Sequence, residues 1–171
     1  MESVMHTEAF NYIHEQFNKF NRPETTWDVL EIGSLNINGS ARDIIQPYSS
    51  KYLGIDVQAG PGVDLVASGA EFYAPEEFDI VVCAEVFEHT AAWQDIIKQA
   101  YINLKPGGIF IATMAGIGRP SHSGIDGGWT LHPGEHYENI DGNVLNKALW
   151  MFSRDKEVSI KGTDTRCVAF K

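Results

Sequence analysis

The stretch Val29-Leu30-Glu31-Ile32-Gly33-Ser34-Leu35-Asn36-Ile37-Asn38-Gly39-Ser40 decides the fold. Trp27 to Ile32 is a continuous apolar-rich run that stops at Gly33, the pattern of a strand buried on both faces. Gly33 at the strand's end lets a ligand come against the backbone, and Gly39 leads into a helical stretch from Ser40 to Gln46. The spacing departs from Gly-x-Gly-x-x-Gly, the turn that cradles a pyrophosphate, because Leu35 holds the second glycine position. Glu31 would also set a carboxylate near that phosphate. The ligand is therefore read as cationic.

Outward from this turn the period alternates between strand and helix. Tyr52 to Ile55 is a short second strand closing at Asp56, about 20 residues after Gly33, the separation at which an acidic residue accepts both hydroxyls of a ribose. Val63 to Ala67 reads as a third strand and Phe78 to Ala84 as a fourth. Ala91 to Leu104 has a helical period that Lys105-Pro106-Gly107-Gly108 ends, and Ile109 to Thr113 is a fifth strand. A helix from Asn143 to Phe152 precedes a hairpin of Glu157 to Lys161 and Cys167 to Phe170. Upstream, Phe10, Ile13, Phe17 and Phe20 form one apolar helical face, a lid or flank ended by Asn21-Arg22-Pro23. Buried strands alternating with helices argue for a doubly wound α/β fold: a seven-stranded, mostly parallel sheet with an antiparallel last strand, in three α/β/α layers. One link resists, since the few residues between Ile55 and Val63 are fewer than the dozen a parallel crossover usually takes.

Composition limits the partners. The 171 residues are 43% hydrophobic and 21% charged, as expected of a single domain over 1–171. Within it, 1–22 is read as an N-terminal helix, 27–113 as the ligand-binding core, 114–139 as a functional loop, and 140–171 as the closing helix and hairpin. The formal charge of −10, with no basic patch, argues against nucleic acid and anionic membranes. No apolar run approaches the roughly 20 residues of a membrane helix, and residues 1–20 lack the form of a signal peptide. Cys83 and Cys167 sit in apolar runs, as buried thiols of a reducing, cytoplasmic compartment do.

In order along the chain, Glu31-Ile32-Gly33, Gly54-Ile55-Asp56-Val57, Phe78-Asp79-Ile80-Val81-Val82-Cys83-Ala84-Glu85-Val86-Phe87-Glu88-His89 and Leu104-Lys105-Pro106-Gly107-Gly108 resemble the motifs of class I S-adenosylmethionine-dependent methyltransferases of the type 11 group. The resemblance runs from about Val29 to Phe170, and the final hairpin fits the family's reversed seventh strand. It implies S-adenosyl-L-methionine as cofactor. The residues implied to hold it are Glu31, Ile32, Gly33 and Ser34 at the first turn, Asp56 and Val57 at the second, Ser68, Gly69 and Ala70 after the third strand, and Ala84, Glu85 and Val86 after the fourth. Two features depart from the family. Leu35 and Ile37 stand where further glycines are common, and Ala67-Ser68-Gly69-Ala70-Glu71 lacks the Asp that bonds the adenine amino group. The short Gln58 to Val66 connection, by contrast, resembles a variant within the family.

The implied chemistry is in-line displacement at a sulfonium methyl, with a small-molecule or sugar-like acceptor. A base is needed only for a poorly nucleophilic hydroxyl or a protonated amine. Candidates are His89, His132 and His136, with His122 and Glu135 in the same loop, while Trp129 and Tyr137 suit acceptor recognition. No metal is expected: Pro133-Gly134 breaks the helix that would bring His132 and His136 to one face, and the motif is not His-Glu-x-x-His. A homo-oligomer is left open. So are two rival readings, a cofactor-holding subunit without turnover and an NAD(P)-dependent oxidoreductase, the second opposed by Leu35.

Overall fold

The computed structural model describes residues 7–152 and 155–171. The first residues of the expected N-terminal helix, 1–6, and residues 153–154 of the C-terminal segment lie outside them. Seven strands, β1 (Trp27–Ile32), β2 (Ser49–Asp56), β3 (Leu65–Val66), β4 (Phe78–Ala84), β5 (Leu104–Ala115), β6 (Lys156–Lys161) and β7 (Asp164–Phe170), form one sheet. Their order is β3-β2-β1-β4-β5-β7-β6. Strands β1 to β5 run parallel, and β7 inserts antiparallel between β5 and β6. This is the doubly wound sheet with a reversed last strand that the sequence predicts.

Strict alternation sorts the core into two layers. Val29, Ile80, Val82, Ile109, Ile111 and Val168 face α1 (Thr7–Phe20) and α2 (Arg42–Ile45), whose Ile13, Phe17, Ile44 and Ile45 complete that layer. Leu30, Ile32, Val81, Cys83, Phe110 and Ala112 face the other way, under Ile96 and Ile97 of α3 (Trp93–Asn103) and Leu145 of α4 (Gly142–Ala148). Helix α1 is thus a flank of the sheet. Its Ala9, Tyr12, Ile13, Gln16 and Phe17 are buried against it.

Element boundaries move where side chains intervene. Helix α2 starts only at Arg42, because Ser40 and the Ala41 N–H are engaged by Glu31, and Pro47 closes it in a 3-10 turn. Helix α4 starts after Asp141, which accepts from Asn143 N and Val144 N as an N-cap, and stops at Ala148. Lys105 to Gly108 end α3 as expected, yet they open β5: the pairing jumps from Phe78↔Leu104 to Ile80↔Ile109 across a bulge.

The resistant link also has its explanation. Residues 57–64 contain no helix, and β3 pairs through Leu65 and Val66 alone. The loop is instead fastened back onto the sheet. Asp64 accepts from Gly54 N at 2.7 Å and from the Arg42 guanidinium, which donates also to Gly62 O at 3.0 Å. Gly54 permits this contact, since a Cβ there would lie 2.5 Å from Gly62 O. No helix among the described residues is long and apolar enough to cross a membrane.

Candidate active site

The sheet reverses its winding between β1 and β4, and open α/β sheets take ligands at the carboxyl ends of the strands beside such a switch. A cavity of about 850 Å³ lies there, bordered by the ends of β1, β2 and β4 and roofed by the segment after β5.

Its floor is built from the turns. Gly33, at φ 78°, folds the chain over β2, so that Gly33 N and Ser34 N both donate to Ile55 O. Asp56 then ties two turns together: one carboxylate oxygen accepts from Leu35 N at 3.1 Å and the other from Gln58 N at 3.0 Å. Glu31 is 3% exposed, and its carboxylate accepts from Ser40 Oγ, Ala41 N and Tyr52 Oη. Burial raises its pKa despite these donors. Glu31 borders the cavity while bracing the start of α2.

Of the residues expected to hold the cofactor, Glu31, Ile32, Gly33, Asp56, Val57, Ser68, Gly69, Ala70, Ala84, Glu85 and Val86 all line this cavity. Ser34 does not. It is 1% exposed, and its Oγ lies on the Gly54 side, where a Cβ on that glycine would be 2.7 Å away. After the third strand Ser68 shapes its own turn, its Oγ accepting from Ala70 N and its carbonyl from Glu71 N and Phe72 N.

At the end of β4 the backbone is strained. Glu85 takes φ 56°, a region costly for a residue with a side chain, while its N–H donates to Thr113 O. Its carboxylate accepts from Arg119 Nη1 at 2.6 Å, and Asp164 lies 3.4 Å from the same nitrogen. Burial opposes the charge on Arg119, but Glu85, Glu88 and Asp164 outweigh it and raise its pKa. Glu88, in the 3-10 turn Phe87–His89, is fully buried and accepts from Ala115 N at 3.1 Å. Burial, followed by the Glu85 charge, pushes its carboxyl up to about 8. His89 packs edge-on to His122 and Tyr137, at centroid distances of 4.9 and 5.6 Å. Burial, then His122, lowers its pKa to about 4.

The segment after β5 has more order than its composition suggests. Glu138 N donates to Glu88 O, Trp93 Nε1 to Glu138, and Ile140 N to Ala115 O. Glu135 accepts from Ser123 Oγ and Gly124 N, both at 2.9 Å, which folds the loop's middle across the cavity. His136, Glu135, His122 and Trp129 line it. His132 is not among the lining residues. Its Nε2 lies 2.9 Å from Asp126 Oδ2 in solvent, and that hydrogen bond raises its pKa. Arg119 is the charged lining residue, apart from residues already named, that sequence reasoning did not single out; its signal was only a lone cation, Gly118-Arg119-Pro120, facing an acidic chain.

Residues 31–112 match the family model described as a methyltransferase domain. No curated protein matches the chain in sequence. Among solved structures, it is similar to a 1,6-didemethyltoxoflavin-N1-methyltransferase of Burkholderia thailandensis, with TM-score 0.70, 13% identity, and 99% of this chain and 79% of that one covered. A SAM-dependent methyltransferase of Archaeoglobus fulgidus gives TM-score 0.66 at 12% identity, over 95% and 94% of the two chains. A putative one of Listeria monocytogenes gives 0.61 at 15%, over 94% and 98%. The family match over 31–112 gives the central strands as a methyltransferase domain, and the order and directions of the whole sheet are those of the class I S-adenosylmethionine-dependent methyltransferase fold.

Proposed function

We propose that the chain, acting as one domain over 1–171 in the cytoplasm, methylates a small-molecule or sugar-like acceptor within this cavity. The observation that carries the reading is the joining of the Gly33 and Asp56 turns at the switch point. The fit to S-adenosyl-L-methionine rests on three features. Gly33 lines the cavity at the end of β1, Asp56 stands where a ribose would meet it, and about 850 Å³ accommodates a nucleoside-sized ligand together with a small acceptor. When bound, the cofactor supplies a methyl carbon already activated by its sulfonium.

The chain's own part is positioning. Asp56 and Val57 would hold the ribose end, Ser68, Gly69 and Ala70 would border the adenine, and Ala84, Glu85 and Val86 the methionine end; all of these residues line the cavity. Glu31 acts indirectly, keeping the first turn and α2 in register. On the acceptor side His89 and His136 are the candidates for taking a proton from the acceptor, and His132 with Trp129 belongs to recognition at the rim. A small acceptor also agrees with the Burkholderia protein, whose structure holds 1,6-didemethyltoxoflavin. Isothermal titration with S-adenosylmethionine and S-adenosylhomocysteine tests the reading. Binding of both, with none of NAD or NADP, is expected; binding of neither overturns it.

A further inference from the structure

Glu88, His89 and His122 meet beside the end of β4, where methyl transfer alone leaves Glu88 and His122 without a task and makes His89 only a candidate base. One oxygen of Glu88 and one nitrogen each of His89 and His122 lie within 4.8 Å of one another. They come from separate parts of the chain, the 3-10 turn after β4 and the segment after β5, so their meeting is a product of the fold. Glu88 is 0% exposed; Oε1 accepts from Ala115 N, while the buried Oε2 has no hydrogen-bond partner. His89 Nδ1 is likewise buried without a partner. Lone pairs withdrawn from water and left unused are costly, and the two groups lie side by side. A cation satisfies both demands. Two imidazoles and one carboxylate form a donor set for first-row transition ions, whereas magnesium and calcium prefer oxygen alone.

We propose that Glu88, His89 and His122 bind one divalent transition ion, zinc foremost, at the acceptor side of the cavity, where it ligates the oxygen of a hydroxylated acceptor. The three ligand atoms already lie within 4.8 Å of one another, a spread that one ion ligated at about 2.0–2.2 Å bridges after small side-chain adjustments. Three protein ligands leave coordination positions open. Ala115 N–H, already donating to Glu88, is the outer-shell partner that orients the carboxylate. A hydroxyl bound to such an ion gives up its proton more readily, the proton passing to solvent through the cavity mouth. The acceptor class narrows to alcohols, enols and phenols, methylated on oxygen; this step rests on the methyl-transfer reading, whereas the ion site does not.

The test is calorimetric titration of zinc chloride into chelator-stripped full-length protein, without cofactor. One equivalent should bind, and His122→Ala should weaken binding about 10-fold or more. Glu88→Gln should do the same, provided its circular dichroism matches the parent. His132→Ala, which breaks the exposed His132–Asp126 pair away from the site, should leave zinc affinity unchanged. No binding by the parent chain, an unaffected His122→Ala, or loss of binding on His132→Ala would each overturn the site. A parallel titration with S-adenosylmethionine separates the two readings. Zinc binding without cofactor binding sinks the methyl-transfer reading and keeps the ion site; cofactor binding without zinc binding does the reverse.

Discussion

Gly33 and Asp56 show how little chain it takes to join two turns at the switch point of the sheet. A Cβ on Gly33 would come within 2.1 Å of Val86 Cγ2, and the backbone already sits at φ 78°. Gly33→Ala should therefore lose about 2–4 kcal/mol in urea unfolding, the left-handed backbone and the clash together. Asp56 was legible because an acidic residue at a strand end, at that distance from Gly33, has a geometric meaning. Asp56→Ala should weaken S-adenosylmethionine binding by more than about 1 kcal/mol, roughly fivefold, by calorimetry; unchanged affinity in a folded variant would remove Asp56 from the site. Other residues could not be read from spacing. Ser34 and Gly33 are neighbours, yet one faces the cavity and the other the β2 side. His132 and His136 lie in one motif, but Glu135 draws His136 inward through Ser123 and Gly124 while Asp126 holds His132 out. The two acidic partners of Arg119 are 34 and 45 residues away in sequence.

At the scale of elements, periodicity located every strand, and side-chain interactions set their lengths. The third strand is the clearest case. Five residues from Val63 to Ala67 have strand character, yet only Leu65 and Val66 pair, since the chain spends the rest of the link on the Asp64 fastening. No local pattern announces that Asp64 will reach Gly54 and Arg42. Asp64→Ala should speed amide exchange at Gly54 and cost about 1 kcal/mol, most of it from the backbone contact because the ion pair is partly exposed. The loop after β5 is similar. Its Gly, Pro and His content predicts irregular backbone, and irregular it is, but Glu135 knits it to itself and Glu138 ties it to Trp93 of α3.

Across the whole molecule, the end of the sheet opposite the cavity is clamped. Lys105 Nζ meets Asp28 Oδ2 at 2.7 Å and Asp79 Oδ2 at 3.0 Å, and Asp28 N donates to Asp79, joining β1, β4 and β5. The hydrogen bond from Lys105 holds the Asp28 carboxyl below its ordinary 3.8. A carboxyl depressed on folding stabilises above its unfolded pKa, and that contribution fades as pH falls through the folded value. Acid below about pH 4 should thus weaken the clamp; Lys105→Met should remove about 1 kcal/mol at neutral pH, discounted for partial exposure, and flatten the acid limb of the stability curve measured by urea midpoints. The two borders of the sheet carry a further consequence. On one side β3 offers a template of two residues; on the other β6 presents Lys156, Glu157 and Lys161, with Lys161 paired to Glu8. Neither border suits the docking of another chain's strand, so growth of the sheet into ribbons or fibrils is discouraged from both ends.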